Sequence, residues 1–221
     1  MTIKLDISLR AGAHEFMCAA VLFDLDGVLV ASQPLIERQL RSWADLQGLD
    51  SATVVRLSHG RTDVDLIREV APHLDAEEEA GLMAEREALD THGLQPCHGA
   101  AEIIALLPEH QWGIVTSGHS SVARARLSAA GLPEPQVFVT AERVHRGKPA
   151  PDGYLLGAHL LGIDPKDCVV IEDAPAGVSA ARAAGAQVLG VDPTNELDLG
   201  ADFVVTGLET IQVKSCLGRR P

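Results

Sequence analysis

Residues 19–32, AAVLFDLDGVLVAS, run through a stretch of apolar side chains into Asp24, Asp26 and Gly27. An apolar run of strand length that ends in polar residues and glycine reads as a central strand of an α/β sheet, buried on both faces, whose carboxyl end is where such folds place their chemistry. In extended chain a two-residue spacing points both carboxylates the same way. Two acids held together repel unless a cation sits between them or one keeps a proton. The pair therefore points to a divalent metal, an acid/base division of labour, or both. On its own, DxDG is equally a solvated turn.

Three later segments carry the argument further. WGIVTSG, residues 112–118, is an apolar run ending in Thr116, Ser117 and Gly118. HRGKPAP, residues 145–151, sets Lys148 before a proline suited to opening a helix. CVVIEDAPAG, residues 168–177, repeats the first pattern: apolar strand, the acidic pair Glu172 and Asp173, then a small-residue turn into a helix. Singly these are a strand-end hydroxyl, a surface lysine and a charge pair favoured by a helix N-terminus. Together, in this order and each at a strand end or helix start, they would gather at one edge of a right-handed parallel sheet.

Periodicity supplies the organisation. Between Ser32 and about Gln95 helical patterns recur over 33–47, 50–57, 62–70 and 75–91, with no convincing strand. From His98 onward strands near 112–116, 136–139, 168–171, 187–191 and 202–205 alternate with helices, the mark of a doubly wound parallel sheet. We expect an α/β core with a Rossmann-like sheet, residues 17–31 and 96–221, and a small helical cap, residues 32–95, inserted after the first strand. The crossings fall at Gly27 to Ser32 and at Pro96. Residues 1–16 contain GAHEF, the kind of sequence a cloning junction leaves. They are expected to be a vector-derived leader outside the fold, with the chain proper starting at Met17.

With 31 acidic against 18 basic residues the formal net charge is -13, and aromatic residues make up 3%. Neither a basic track nor stacking platforms exist for nucleic acid. An anionic substrate must then be drawn in locally, by metal and a few cations. Cys18, Cys97, Cys168 and Cys216 lie far apart with no CxxC pair. They read as reduced thiols, with no zinc site and no disulfide framework. No stretch reaches membrane-span length. A cytoplasmic, monomeric protein acting on a small anionic metabolite is expected.

The ordered set of four motifs resembles the haloacid dehalogenase superfamily, in its branch of β-phosphoglucomutases and sugar-phosphate phosphatases with a small helical cap. The resemblance runs from about Ala19 to about Thr206. It implies Asp24 as nucleophile, Asp26 as general acid/base, Thr116 with Ser117 and Gly118 on the phosphoryl group, and Lys148 steadying it. It further implies Mg²⁺ held by Asp24, Asp26 and Asp173, with Glu172 behind them. The expected reaction is Mg²⁺-dependent hydrolysis of a small sugar or polyol phosphate through an aspartyl-phosphate. In the cap, SHGRTD, residues 58–63, breaks two helices. His59, Gly60 and Arg61 are candidate substrate contacts there; the alternative is a solvated helix start with Thr62 as N-cap. The pattern is similar to that of 2-deoxyglucose-6-phosphate and polyol-phosphate phosphatases. Trp43 could stack on a sugar, although a tryptophan on a cap helix is more often core.

Departures from the family matter as well. Mutases carry a histidine where Ile36 stands and a cap arginine where Asp63 stands, which weakens a phosphomutase reading. Ala31 replaces the last acid of the family's DxDGxxxDS pattern, leaving open how the hinge is held. A phosphoacceptor receiver domain would need no helical insertion of this size. A non-enzymatic sugar-phosphate sensor would be expected to lose Asp24 or Asp26, and both are present.

Overall fold

The computed structural model describes residues 6–215. In chain order the elements are β1 (Ile7–Ala11), β2 (His14–Cys18) and β3 (Ala20–Phe23), then α1 (Gln33–Gln47), α2 (Ser51–Ser58), α3 (Asp63–Val70) and α4 (Ala76–Leu89). There follow α5 (Ala100–Leu106), β4 (Trp112–Val115), α6 (Ser120–Ala129), β5 (Val137–Val139), α7 (Asp152–Leu161) and β6 (Cys168–Glu172). The chain closes with α8 (Pro175–Ala184), β7 (Gln187–Val191), β8 (Phe203–Val205) and β9 (Ile211–Ser215).

Six strands make a parallel sheet in the order β5-β4-β3-β6-β7-β8. From β3 the chain winds outward to β4 and β5, then crosses back to β6 and winds the other way. The switch point thus falls between the neighbours β3 and β6, where open α/β sheets place their crevice. Successive β3 residues serve opposite faces, as a period of two requires. Val21 and Phe23 pack with Ile103, Ile104, Ala123 and Leu127 of α5 and α6. Ala20 and Leu22 pack with Tyr154, Ala158, Val178 and Ala181 of α7 and α8. All four residues of β3, and all five of β6, are buried, which is why these strands read as unbroken apolar runs.

Helices α1 to α4 form the cap, with a core of their own around Leu40, Trp43, Val54, Leu66, Ile67 and Met83. Trp43 is a core residue: it is buried, and its indole N–H donates to Glu79 Oε1 at 2.8 Å. The two crossings run side by side as a short antiparallel contact between Val30 and Pro96. In it Ala31 N–H donates to the Gln95 carbonyl at 2.9 Å and Cys97 N–H to the Leu29 carbonyl at 2.8 Å. Backbone pairing therefore holds the hinge where Ala31 offers no acid.

The expectation that residues 1–16 stand outside the fold does not hold for its described part. β1 pairs with β2 through a two-residue loop at Gly12, and with β9 on its other edge, giving a second, antiparallel sheet. Ile7, Leu9, Ala11 and Phe16 are buried in the same cluster as Phe23 and Trp112. The alternation of ISLRA and HEFMC around a glycine carried the hairpin signal, masked by reading the segment as a leader. β9 was likewise not anticipated. Cys18 and Cys168 are buried free thiols, both pushed up to about 12 by burial, whereas Cys216 lies outside the described residues. Among the described residues no helix is long and apolar enough to cross a membrane.

Candidate active site

Asp24 follows directly on β3, and its N–H donates to the Ile171 carbonyl of β6 at 2.9 Å. The register that pairs Phe23 with Ile171 thus sets Asp24 beside Glu172 and Asp173 at the carboxyl ends of adjacent strands. Lys148 arrives from the loop before α7. Its Nζ donates to Asp24 Oδ1 and to Glu172 Oε1, each at 2.6 Å. Glu172 is fully buried and has no oxygen to spare. Oε1 also accepts from the Tyr154 hydroxyl at 2.8 Å, and Oε2 accepts the backbone N–H groups of Asp173 at 2.9 Å and Ala174 at 3.1 Å. It is a strut that fixes Lys148 and the turn into α8. A side chain at Gly177 would overlap the Glu172 carboxylate, and one at Gly27, where φ is +81°, would overlap that of Asp173.

Oxygen atoms of Asp24, Glu172 and Asp173 lie within 4.8 Å of one another. One ammonium faces three carboxylates, and the pKa directions follow. Burial pushes Asp24 up to about 7, with Lys148 opposing and Glu172 adding to the rise. Burial, then Glu172 and Asp24, hold Asp173 well above the usual carboxylate range. Burial works against the Lys148 charge, but Asp24 and Glu172 outweigh it and hold the ammonium above its ordinary value. Buried acids short of positive charge, offering only oxygen, suit a hard divalent cation.

Asp26 faces elsewhere. Its Oδ1 accepts from Ser32 Oγ at 2.5 Å and its Oδ2 from Arg126 Nη1 at 2.8 Å. The other terminal nitrogen of Arg126 donates to Glu87 Oε2, also at 2.8 Å. Arg126, on core helix α6, is only 4% exposed, and Glu87 comes from cap helix α4. Neither was anticipated as part of the site. Both carry a readable signal, because each falls on its helix's buried stripe: Val122, Ala123, Arg126 and Leu127 in α6, and Met83, Ala84 and Glu87 in α4. A charged residue there needs a partner.

The remaining residues named from the sequence border the same cleft. Thr116 is buried at the end of β4, and its Oγ1 accepts from Gly118 N–H at 3.0 Å. Ser117 Oγ donates to the Gly60 carbonyl at 3.0 Å, so the cap loop rests on the core. Gly60 has φ of +74°, and a Cβ there would come within 3.1 Å of the Ala176 Cβ and 3.3 Å of the Ala174 Cβ. The close approach is to the start of α8. Thr62 does cap α3, through Oγ1 and Asp65 N–H at 3.2 Å. His59 and Arg61 line the cleft beside it, the Arg61 guanidinium paired with Glu69 of the cap itself.

Residues 18–185 match the family model for haloacid dehalogenase-like hydrolases. Among curated proteins, hexitol phosphatase A of Escherichia coli (strain K12) is 46% identical over 206 residues, covering 89% of this chain and 94% of that protein. 2-Deoxyglucose-6-phosphate phosphatase 1 of Saccharomyces cerevisiae is 33% identical, covering 90% of this chain and 92% of the relative. Among solved structures, a hydrolase from Pseudomonas syringae superposes with a TM-score of 0.74 at 26% identity, over 86% of this chain and 94% of that one. The four motifs, their meeting at the β3/β6 switch point and these similarities agree: the chain belongs to the haloacid dehalogenase-like hydrolases.

Proposed function

We propose that the chain is a Mg²⁺-dependent phosphatase that hydrolyses a small sugar or polyol phosphate through an aspartyl-phosphate on Asp24. The observation that carries this reading is that the two aspartates of one strand end have different partners. Asp24 is held by Lys148 alone, and Asp26 by Ser32 and Arg126. Two carboxylates in contrasting environments are how a site divides nucleophile from acid/base. The phosphatase names of the two relatives support the reaction class.

A carboxylate oxygen of Asp24 attacks phosphorus as the ester P–O bond breaks, and Asp26 gives its proton to the leaving alkoxide. Water then attacks the phosphoryl group on Asp24, losing a proton to Asp26, and inorganic phosphate leaves with Asp24 restored. Lys148 and the Thr116 hydroxyl face the phosphoryl oxygens, with Ser117 and Gly118 at the edge of the same loop. When bound, Mg²⁺ supplies the positive charge that lets one anion approach another. Asp24 and Asp173 would hold it. The Asp26 carboxylate, expected from the family to join them, is instead committed to Ser32 and Arg126. Glu172 keeps Lys148 in place.

A phosphomutase is the weaker reading, because the cleft presents Ile36 and Asp63 where mutases carry a histidine and an arginine. The buried free thiols Cys18 and Cys168 suit a reducing cytoplasm, and we read the enzyme as a monomer. The test is phosphate release from a panel of sugar, polyol and nucleotide monophosphates, with Mg²⁺ and with excess chelator. Release from sugar and polyol esters that chelator abolishes is expected; no release from any ester would end the proposal.

A further inference from the structure

The side of the cleft away from Lys148, where a leaving group must lie, has an unusual balance of charge. Asp26, Asp63 and Glu87 all face it, and Arg126 is the cation among them. Both terminal nitrogens of Arg126 are committed, to Asp26 and to Glu87. Arg61 on the cap loop is committed to Glu69. Asp63 differs from its neighbours on the first turn of α3. Thr62 and Asp65 are tied to each other, with Oγ1 donating to Asp65 Oδ2 at 2.8 Å, whereas the Asp63 carboxylate has no hydrogen-bond donor among the described residues. The cleft wall formed by α1 brings Gln33, whose amide donates to Asp173 Oδ2 at 3.3 Å, and beyond it the apolar Ile36 and Leu40.

An acceptor without a donor on one wall, facing an apolar wall, suits a polyol or sugar, which has hydroxyls to donate and C–H surface to bury. The same carboxylate repels a leaving group that carries its own anion. Among the described residues the cations lining this side of the cleft already have acidic partners: Arg126 has Asp26 and Glu87, Arg61 has Glu69, and His119, which also faces Asp63, lies 3.6 Å from Glu142.

We propose that Asp63 is a specificity residue: it accepts hydrogen bonds from hydroxyls of the leaving group and turns away leaving groups bearing a second phosphate or a carboxylate. This deepens the phosphatase reading and rests on it. Burial, opposed by Arg126 and reinforced by Asp26, pushes Asp63 up to about 6, in keeping with an acid short of partners.

The test compares kcat/KM for mannitol 1-phosphate, glycerol 1-phosphate, phosphoglycolate and fructose 1,6-bisphosphate in the wild type, Asp63→Asn, Asp63→Ser and Asp63→Glu. Glycerol 1-phosphate and phosphoglycolate are close in size, but one offers hydroxyls where the other carries a carboxylate, so their ratio reads both halves of the proposed role together. The wild type is expected to favour the two polyol phosphates over the two anionic esters by about a hundredfold, and Asp63→Asn and Asp63→Ser to shrink that preference by about tenfold or more. Asp63→Glu, which keeps the charge, should keep it. A merely structural role would depress every substrate alike and leave the ratio unmoved, and that result in either neutral variant overturns the proposal. Hydrolysis of 4-nitrophenyl phosphate by the wild type separates the two layers. If the wild type cleaves it and the ratio is unmoved, Asp63 alone loses its role; if it cleaves no ester at all, the phosphatase reading falls and takes this proposal with it.

Discussion

Replacing Arg126 by methionine keeps most of the side chain's length and apolar stem while deleting the guanidinium that joins Asp26 of the core to Glu87 of the cap. The three side chains are 5%, 16% and 10% exposed, so the ion pairs sit in a largely dry environment. Two charge-assisted hydrogen bonds are lost, at about 1.5–3 kcal/mol each, and the acids left behind can lower their cost only by taking up protons. Breaking a buried pair from one side costs about 3–5 kcal/mol, which for a chain of this size lowers the melting temperature by roughly 6–20 °C. Urea unfolding of the metal-free protein measures it. A second substitution supplies the sharper readout. In the wild type, Glu87→Gln removes one partner of Arg126 and should be neutral or mildly destabilising. In the Arg126→Met background it removes an unpaired buried carboxylate and should stabilise. The sign of the Glu87→Gln effect thus reverses between backgrounds, which a double-mutant cycle detects directly. Turnover of Arg126→Met should also fall by about a hundredfold or more, since Asp26 is no longer held for proton transfer. A stability loss below about 1 kcal/mol, or an effect of Glu87→Gln that is the same in both backgrounds, would refute the bridge.

Asp24→Asn should abolish turnover with the fold intact, as read by circular dichroism and phosphate release; retained activity would remove the covalent step. Lys148→Ala should lower kcat by two orders of magnitude or more, about 3 kcal/mol of transition-state stabilisation, and a change in KM alone would reduce Lys148 to a ground-state contact. Because Asp24 is raised from 3.8 to about 7, the folded metal-free protein holds a proton that the unfolded chain releases, so this group's contribution to stability is complete below pH 3.8 and fades as pH rises through about 7. A cation needs the ionised form, so saturating Mg²⁺ should raise the melting temperature more at pH 8 than at pH 5, and an equal or reversed increment would take Asp24 out of the metal site. Ca²⁺ should support turnover poorly, because its larger shell favours bidentate carboxylates that compete with attack. His59→Ala and Arg61→Ala should change the ranking of kcat/KM among sugar and polyol phosphates, while uniform loss across all esters would place Arg61 on the phosphate.

What could be read from the sequence, and what could not, divides along physical lines. Strands β3 to β8 and helices α1 to α4 were legible because the strands read as short apolar runs and the helices carry one clear period, with capping residues marking helix starts, as Asp50, Thr62 and Asp75 do for α2, α3 and α4. Asp24, Thr116, Lys148 and Asp173 stood out as candidates because strand ends and loops at a sheet's carboxyl edge are where reactive groups recur, and they do border one cleft. Glu87 and Arg126 did not, since on a helix a charged residue reads as solvated unless its position on the apolar stripe is checked. The β1–β2 hairpin escaped for another reason: Ile7, Leu9 and Phe16 alternate properly, but GAHEF reads as a cloning junction, and the strand that completes the sheet, β9, lies about two hundred residues from β1. The commitment of Asp26 to Arg126 was invisible for the same reason of distance, a separation of 100 residues that no local pattern encodes.

The two aspartates also differ in which part of the molecule assembles them. Everything that holds Asp24 comes from the core: Lys148 before α7, Glu172 on β6, and through it Tyr154 on α7. Asp26 is held partly across the boundary. Ser32 sits at the hinge, and Arg126 reaches it while gripping Glu87 on the cap. An open cap would therefore leave the proposed nucleophile in place but strip Arg126 of one of its two anchors, and with it the fixed position of the acid/base. A closed cap, with Ser117 Oγ on the Gly60 carbonyl as here, would shield the cleft from water and complete Asp26 in the same movement. The step that needs a positioned proton donor would thereby be confined to the state in which the substrate is enclosed.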